Sequence, residues 1–471
     1  MSSEPSIQVR SEAWSGSDSR LARAVARPMV RFLAQETASG VMLLLATAAA
    51  LVWVNLPGEL GESYHHFWAT HLDLTVGSWV VFDESLEHVV NDALMVLFFF
   101  VVGLEIKSEL VVGDLREPRV AALPAIAALG GMIVPALIYT AVVTGGEGAN
   151  GWGVPMATDI AFAVGVLALL GPIVPARLKL FLLTLAIVDD IGAILVIAVF
   201  YTSSIAFAWL GLAALLVVLV AVMTQSRIWY TPLYAVLGFG IWYATFQSGV
   251  HATIAGVVLG LVAPATPLLG PRVFESLEDV LAGENAKPDQ VFDANWKIKE
   301  TISVTTRLTG LLSPWTSFII VPLFALANAG IEISGGALSG ALGSRVTWGI
   351  VLGLVIGKTA GISLFTWAAV RWRIASLPAG VSMGHVVGGG AVAGIGFTVA
   401  LFIAKLAFVD EAGVALPFQE EAILGILFAS LIATMVGFVV LRVVASRSGR
   451  PGSGETGTLN LGAMVGDHTG S

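Results

Sequence analysis

Long apolar runs recur along the whole chain, and they constrain the fold more than any other feature of the sequence. Three examples are "SGVMLLLATAAALVWVN", "WLGLAALLVVLVAVM" and "ILGILFASLIATMVGFVVLRVV". Each run reaches or approaches the ~20 residues that an α-helix needs to cross a bilayer. Only 12% of the 471 residues are charged, whereas soluble domains carry ~25%. A large soluble protein would need polar helix faces, which these runs lack. The sequence therefore predicts an all-α polytopic membrane protein.

We predict about twelve transmembrane helices within a membrane domain of residues 33–444. The spans are expected at 33–55, 88–110, 119–144, 150–171, 178–202, 206–224, 229–247, 250–264, 314–331, 347–370, 385–408 and 420–444. Outside the spans, we expect a cytoplasmic N-terminal segment (1–32), an extracellular loop (55–87), a long cytoplasmic loop (265–313) and a disordered cytoplasmic tail (445–471). The first twenty residues are polar and lack the apolar core of a signal peptide, and the tail is rich in Gly and Ser.

The positive charges predict the orientation of the chain in the membrane. Lys and Arg residues precede the first span and recur in every second loop, but the loop at 55–87 contains neither. By the positive-inside rule, both termini face the cytoplasm, and an even number of spans agrees with that. The net charge of −9 is spread over loops and tails and does not suggest a nucleic-acid partner. The absence of cysteine excludes disulfides and thiolate metal sites.

Two adjacent carboxylates lie within the fifth predicted span, in "LAIVDDIGAILVIAVFYT". On insertion scales each charged side chain at the middle of a membrane helix costs ~2.5–3.5 kcal/mol, so such residues mark functional sites. Asp189 and Asp190 are separated by ~100° around the helix axis. Both can therefore line one cavity without pointing in the same direction.

Glycine and proline interrupt two other spans. The fourth contains Thr158 and Asp159 in "GWGVPMATDIAFAVG", and the eleventh contains "VVGGGAVAGIGFTVALF". Two interrupted segments in corresponding places predict crossed discontinuous helices between two inverted-topology repeats, here spans three to five and ten to twelve. Asp159 could neutralise the positive half-helix ends, and Lys358 of "GIVLGLVIGKTAGISLF" could neutralise the negative ones. Glycines every four residues in that span predict a flat face for close helix packing.

These polar groups indicate a site for a small cation. Carboxylates, a hydroxyl and backbone carbonyls suit Na⁺, Li⁺ or Ca²⁺ better than a transition metal. A cavity that holds either protons or a cation, and that opens alternately to each side, exchanges one for the other. If both Asp189 and Asp190 lose protons before a monovalent cation binds, the exchange moves net charge. Na⁺ and H⁺ are then transported ions, and no cofactor is expected.

The residues also resemble a known family. The stretches "ATDIAFAVGVLALLG", "LAIVDDIGAILVIAVFYT", "SGVHATIAGVVLG", "VPLFALANAG", "GKTAGISLF" and "GIGFTVALFIA" look like the NhaA-type bacterial Na⁺/H⁺ antiporters, and the likeness runs from about Ala38 to Val443. The resemblance implies a multi-pass inner-membrane antiporter for Na⁺ and Li⁺ that is not an enzyme. It implies that Asp189 and Asp190 form the cation- and proton-exchanging pair and that Lys358 pairs with Asp189. Thr158 and Asp159 would belong to the crossed helices.

The resemblance extends to regulation and assembly. It implies that Asp92, Glu105 and Glu109 are pore-entrance or pH-response acids on the cytoplasmic side, and that His251 and Arg307 take part in the pH response. The stretch "HLDLTVGSWVVFD" alternates apolar and polar residues as a strand pair does, and it resembles the family's extracellular β-hairpin used in homodimer contact. The chain departs from the family pattern where charged or histidine residues are usual, at Ser108, Thr306, Thr309 and Ser313.

Three other functions fit parts of the pattern. An intramembrane aspartyl protease carries its two aspartates on separate helices, one after a Gly-x-Gly-Asp pattern, which "AIVDDIGA" lacks. A sodium-coupled solute symporter could share the fold, and solute-dependent Na⁺ uptake would reveal it. A passive cation channel is disfavoured because Lys358 would repel cations in an open pore.

Overall fold

We describe the protein from a computed structural model that covers residues 38–76, 79–202, 205–226, 228, 231–267, 269, 288–409 and 415–447. The N-terminal segment predicted at 1–32 lies outside these residues, as does the predicted tail beyond its first three positions.

The described residues are mostly helical. In chain order the elements are α1 (Ala38–Val54), α2 (Glu59–Trp68), β1 (His71–Val76), β2 (Trp79–Ser85), α3 (Leu86–Val111), α4 (Pro118–Val142), a 3-10 helix (Glu147–Met156), α5 (Ile160–Leu170), α6 (Ala176–Phe200), α7 (Phe207–Gln225), α8 (Thr231–Gln247), α9 (Thr253–Val262), α10 (Pro288–Glu300), α11 (Val304–Asn328), α12 (Gly335–Gly343), α13 (Arg345–Arg371), α14 (Met383–Ala393), α15 (Phe397–Ala407) and α16 (Phe418–Arg447).

Length and apolar composition identify the membrane-spanning helices. Within the described residues, seven helices are long and apolar enough to cross a bilayer: α3, α4, α6, α7, α11, α13 and α16. Two bent pairs raise that number to nine if each counts as one span: the 3-10 helix with α5, bent by 43°, and α14 with α15, bent by 48°. The protein is therefore a polytopic membrane protein, and this count is lower than the twelve spans expected from the sequence. The apolar helices α1 and α9 have only 17 and 10 residues.

Helix α11 begins at Val304, ten residues before the predicted start at 314. Its first turns are rich in hydroxyl side chains, which lower the hydropathy without interrupting the helix. Ser303 caps this end, because its hydroxyl accepts a hydrogen bond from Thr306 N at 3.2 Å. Much of the loop predicted at 265–313 is therefore helical, since α10 also lies within it.

The predicted hairpin is present. Strands β1 and β2 pair antiparallel, with His71 opposite Ser85 and Asp73 opposite Asp83. The imidazole Nδ1 of His71 lies 2.8 Å from Asp83 Oδ1 on the exposed face. This hydrogen bond raises the pKa of His71 above the ordinary histidine value.

The glycine stripe of α13 packs against α4, as the four-residue spacing predicts. A methyl group at Gly361 would collide with the carbonyl oxygen of Gly130, and one at Gly357 would lie 2.8 Å from the Cα of Pro135. This close approach buries Lys358 on α13 completely, with 0% of its surface exposed. The packing thus carries a lysine into the interior of the helix bundle.

Candidate functional site

The two interrupted helices meet at their breaks. One break separates Met156 from Ile160, and the other separates Ala393 from Phe397. Across them, Asp159 N donates to Ile395 O at 2.7 Å, and the Thr158 hydroxyl donates to Ala393 O at 2.9 Å. In a continuous helix, backbone N–H and C=O groups form hydrogen bonds within the helix. At these two breaks, groups of the other broken helix supply hydrogen bonds in their place.

Asp159 caps the N-termini of two helices at once. Its Oδ1 accepts from Phe162 N at 3.0 Å in α5. Its Oδ2 accepts from Thr398 N at 3.1 Å and from the Thr398 hydroxyl at 2.7 Å in α15. A carboxylate at this position compensates the positive ends of both helix dipoles, as the sequence indicated. Both oxygens of Asp159 are engaged in these caps.

Asp189 on α6 forms an ion pair with Lys358 on α13. The Lys358 Nζ donates to Asp189 Oδ2 at 2.5 Å, and both side chains are 0% exposed. The second oxygen, Oδ1, is buried and has no hydrogen-bond partner among the described residues. The lysine therefore compensates the negative charge of Asp189. The hydroxyl of Thr158 instead donates a hydrogen bond to the carbonyl of Ala393 at the end of α14.

Asp190 faces a cavity of about 280 Å³. Glu105, Thr158, Asp159 and Thr398 also line it, and α11 contributes three hydroxyl side chains from Ser313, Thr316 and Ser317. A water molecule occupies ~30 Å³ in the liquid, so several waters or a partly hydrated cation fit. Asp189 is not among the lining residues. The ~100° between neighbouring helix positions turns Asp189 towards Lys358, while Asp190 faces the cavity.

The cavity lies towards one end of the helix bundle. Its lining includes Ser39 at the start of α1 and Glu105 towards the end of α3. We call this the inner end, and we call the opposite end, where α3 begins after the hairpin, the outer end. The inner end is the side that the positive charges assign to the cytoplasm.

A family model described as Na⁺/H⁺ antiporter 1 matches residues 30–441 of the chain. The chain belongs to the NhaA family of Na⁺/H⁺ antiporters. It is 46% identical over 422 residues to Na⁺/H⁺ antiporter NhaA 3 of Frankia alni, covering 89% of each chain. It is 45% identical over 449 residues to NhaA 2 of Myxococcus xanthus, covering 92% of this chain and 93% of the relative. The chain is 44% identical over 424 residues to the NhaA of Rhodopirellula baltica, covering 88% of this chain and 93% of the relative.

Three of the residues that the NhaA resemblance assigned to the pH response or the pore entrance lie at the inner end. Glu105 lines the cavity. Glu109 accepts a hydrogen bond from Asp114 N at 3.0 Å in the turn after α3. Arg307 donates to Glu300 at 3.2 Å and so links α11 to α10. Of these three residues, only Glu105 has direct access to the cavity.

The other two lie at the outer end. Asp92 lies in a π-helical part of α3, and its carbonyl accepts a hydrogen bond from Trp242 Nε1 at 2.8 Å. The 17 residues between Asp92 and Glu109 correspond to ~25 Å along a helix. His251 Nε2 lies 2.7 Å from Tyr201 O, just beyond the end of α6. The structure therefore separates Asp92 and His251 from the acids near the cavity.

Sequence reasoning missed Thr398. It is the second residue of α15, where backbone N–H groups have no partner within the helix, and it gives Asp159 two of its three hydrogen bonds. The available signal was a threonine directly after the Gly-rich break in "GIGFT". Thr398 is thus a positioning residue for the crossing of the two helices.

We expect Thr398→Val to lower the free energy of unfolding by about 1–3 kcal/mol, because the buried Oδ2 of Asp159 loses the hydroxyl that donates to it. Thermal unfolding of the detergent-solubilised protein measures this loss, and Thr398→Ser, which keeps the hydroxyl, is the matched control. A valine variant as stable as the serine variant would contradict the role assigned to Thr398.

Proposed function

We propose that the chain is an electrogenic antiporter that exports Na⁺ or Li⁺ in exchange for more than one proton, by alternating access at Asp189 and Asp190. The observation that carries this proposal is the different surroundings of the two neighbouring carboxylates. Asp190 is open to the cavity, whereas Asp189 is sealed in an ion pair with Lys358. One group can exchange ions with water directly, and the other is available only when the pair separates.

The cavity supplies the ligands that Na⁺ prefers. Na⁺ entering from the inner end meets the Asp190 carboxylate and the hydroxyls of α11, all of them hard oxygen ligands. Binding at Asp190 displaces its proton. Thr158 stands at the crossing and can contribute a further oxygen, whereas Asp159 acts mainly by holding the two half-helices in place.

The second proton has two possible sources. Asp189 can give up a proton of its own, or Lys358 can lose one while Asp189, released from the ion pair, binds Na⁺. The 2.5 Å contact couples the two groups, so any change at one alters the other. In both routes more than one positive charge leaves the site for each Na⁺ that enters.

We expect the exchange to respond to membrane potential. Each net charge that crosses is driven by ~2.3 kcal/mol per 100 mV, so an inside-negative potential pulls protons in and drives Na⁺ out. In proteoliposomes, a K⁺ gradient with valinomycin should change the exchange rate and shift the equilibrium Na⁺ ratio. An equilibrium ratio that follows the pH gradient alone, at every clamped potential, would exclude a stoichiometry above one proton per Na⁺.

The arrangement of helices supports twelve spans in two inverted repeats. The order long helix, broken helix, long helix occurs twice, in α4 to α6 and in α13 to α16. The shorter helices α1, α8 and α9 would complete twelve spans, with both termini in the cytoplasm of a bacterial cell. The broken helices would then cross at the middle of the membrane, where the two repeats meet.

The outer hairpin supports assembly into a homodimer. A two-stranded hairpin alone is at best marginally stable in water, and β1 pairs only with β2 within the described residues. Contact with the hairpin of a second copy would supply the missing packing.

A further inference from the structure

The outer end of the bundle is closed by side chains from three helices. At the surface of this end, Lys405 Nζ lies 2.7 Å from Glu87 Oε1, and the two side chains are 19% and 32% exposed. Glu87 lies in the first turn of α3, and Lys405 lies in the last turn of α15. The ion pair therefore joins the outer ends of a continuous helix and a half-helix.

A layer of phenylalanines lies beneath this ion pair. The ring of Phe402 on α15 is 5.3 Å from that of Phe99 on α3 and 6.2 Å from that of Phe324 on α11, centroid to centroid. All three side chains are buried. Along α15, Phe402 lies between Thr398 at the cavity and Lys405 at the surface. The rings thus form an apolar barrier between the cavity and the outer side.

At the outer end, two asparagine side chains also join α11 to α3. Asn91 Nδ2 donates to Asn328 Oδ1 at 3.1 Å, and Asn328 Nδ2 donates to Asn91 Oδ1 at 2.8 Å. These bonds join α3 to the end of α11. The amides therefore hold α11 to α3, and the ion pair holds α15 to α3.

We propose that the Glu87–Lys405 ion pair is an outer latch that keeps α15 against α3 while the cavity is open at the inner end. The proposal rests on the alternating access proposed above. Outward opening must separate Phe402 on α15 from Phe99 and Phe324, and the ion pair connects the outer end of α15 to α3. A part-exposed ion pair contributes modestly, so it biases the equilibrium between the two states without preventing exchange.

The absence of cysteine from the chain allows a direct test. Val399 lines the cavity, so Val399→Cys reports access to it. A membrane-impermeant thiol reagent is applied to right-side-out and inside-out vesicles. In the parent we expect fast labelling from the inner side and slow labelling from the outer side. Adding Lys405→Met or Glu87→Gln should raise the outer labelling rate about fivefold. This is the factor by which losing about 1 kcal/mol of ion-pair stabilisation shifts the equilibrium towards the outward-open state.

Two further variants separate the latch from general loosening of the structure. The exchanged pair, Glu87→Lys with Lys405→Glu, should return outer labelling towards the parent rate. The control pair is Asp293→Asn with Lys297→Met, which removes an exposed ion pair on α10 and should leave labelling unchanged. Val102→Cys, which also lines the cavity, serves as a second reporter if Val399→Cys does not fold.

The outcomes are independent of ion exchange. Outer labelling that stays at the parent rate in both single variants overturns the latch, even if Na⁺/H⁺ exchange is normal. Raised labelling that the exchanged pair does not reverse also overturns it, because charge pairing is then not the cause. Failure of the proposed exchange activity would instead appear in proteoliposome transport, without any change in labelling.

Discussion

Asp190→Asn is expected to abolish Na⁺-driven proton movement while the protein still folds. The substitution removes the one carboxylate of the adjacent pair that faces the cavity and leaves a neutral amide of similar size. Na⁺ then loses its anionic ligand, and the site loses a group that can release a proton. Dissipation of a pH gradient by Na⁺ or Li⁺ in proteoliposomes measures the effect.

A matched control for this variant is Asp73→Asn, which removes an exposed carboxylate on β1 of the outer hairpin that does not line the cavity. It should retain the parent exchange rate. Unchanged thermal unfolding of Asp190→Asn would show that the loss is functional. Near-normal exchange by the folded Asp190→Asn protein would refute the assignment of the ion site.

Lys358→Met is expected to destabilise the protein by about 3–5 kcal/mol, because it leaves Asp189 as a buried, uncompensated charge. Adding Asp189→Asn should restore most of the lost stability, since the buried charge is then removed as well. The four proteins of this double-mutant cycle give the coupling energy of the pair directly. Equal destabilisation by Lys358→Met with and without Asp189→Asn would mean that the ion pair does not couple the two helices.

The same double variant also tests the charge stoichiometry. With Asp189 and Lys358 both replaced, Asp190 is the remaining carboxylate of the pair. Any residual exchange should then move one proton for each Na⁺ and become insensitive to membrane potential. A potential-driven shift in the equilibrium Na⁺ ratio of this variant would require a second proton carrier elsewhere, and Glu105 on the cavity wall would be the first residue to examine.

The sequence predicted the parts of the site that are costly in a membrane. Charged residues inside apolar spans are rare unless function requires them, so Asp189, Asp190 and Lys358 stood out without knowledge of the fold. Gly and Pro marked the two breaks correctly, since these residues interrupt helices for local reasons. The glycine spacing in α13 predicted a face for close helix packing, because glycine lets two backbones approach, but it did not identify α4 as the partner.

What the sequence did not predict depends on contacts between distant segments. Nothing in the local pattern indicated that Thr398 donates to Asp159 across 239 positions. The ion pair of Asp189 likewise depends on Lys358, which lies on another helix. The start of α11 was placed late because its hydroxyl-rich turns resemble a loop in hydropathy, and capping by Ser303 decides the boundary.

The double cap at Asp159 limits how the protein can move. The Asp159 carboxylate joins the N-termini of α5 and α15, so these two half-helices cannot slide past each other without losing the two hydrogen bonds that Thr398 donates to it. A rearrangement that keeps these bonds must carry both half-helices as one rigid unit, turning against neighbours such as α3. The Asp159 carboxylate would then be the link that makes α5 and α15 move together, and a substitution that removes it would let each half-helix move separately.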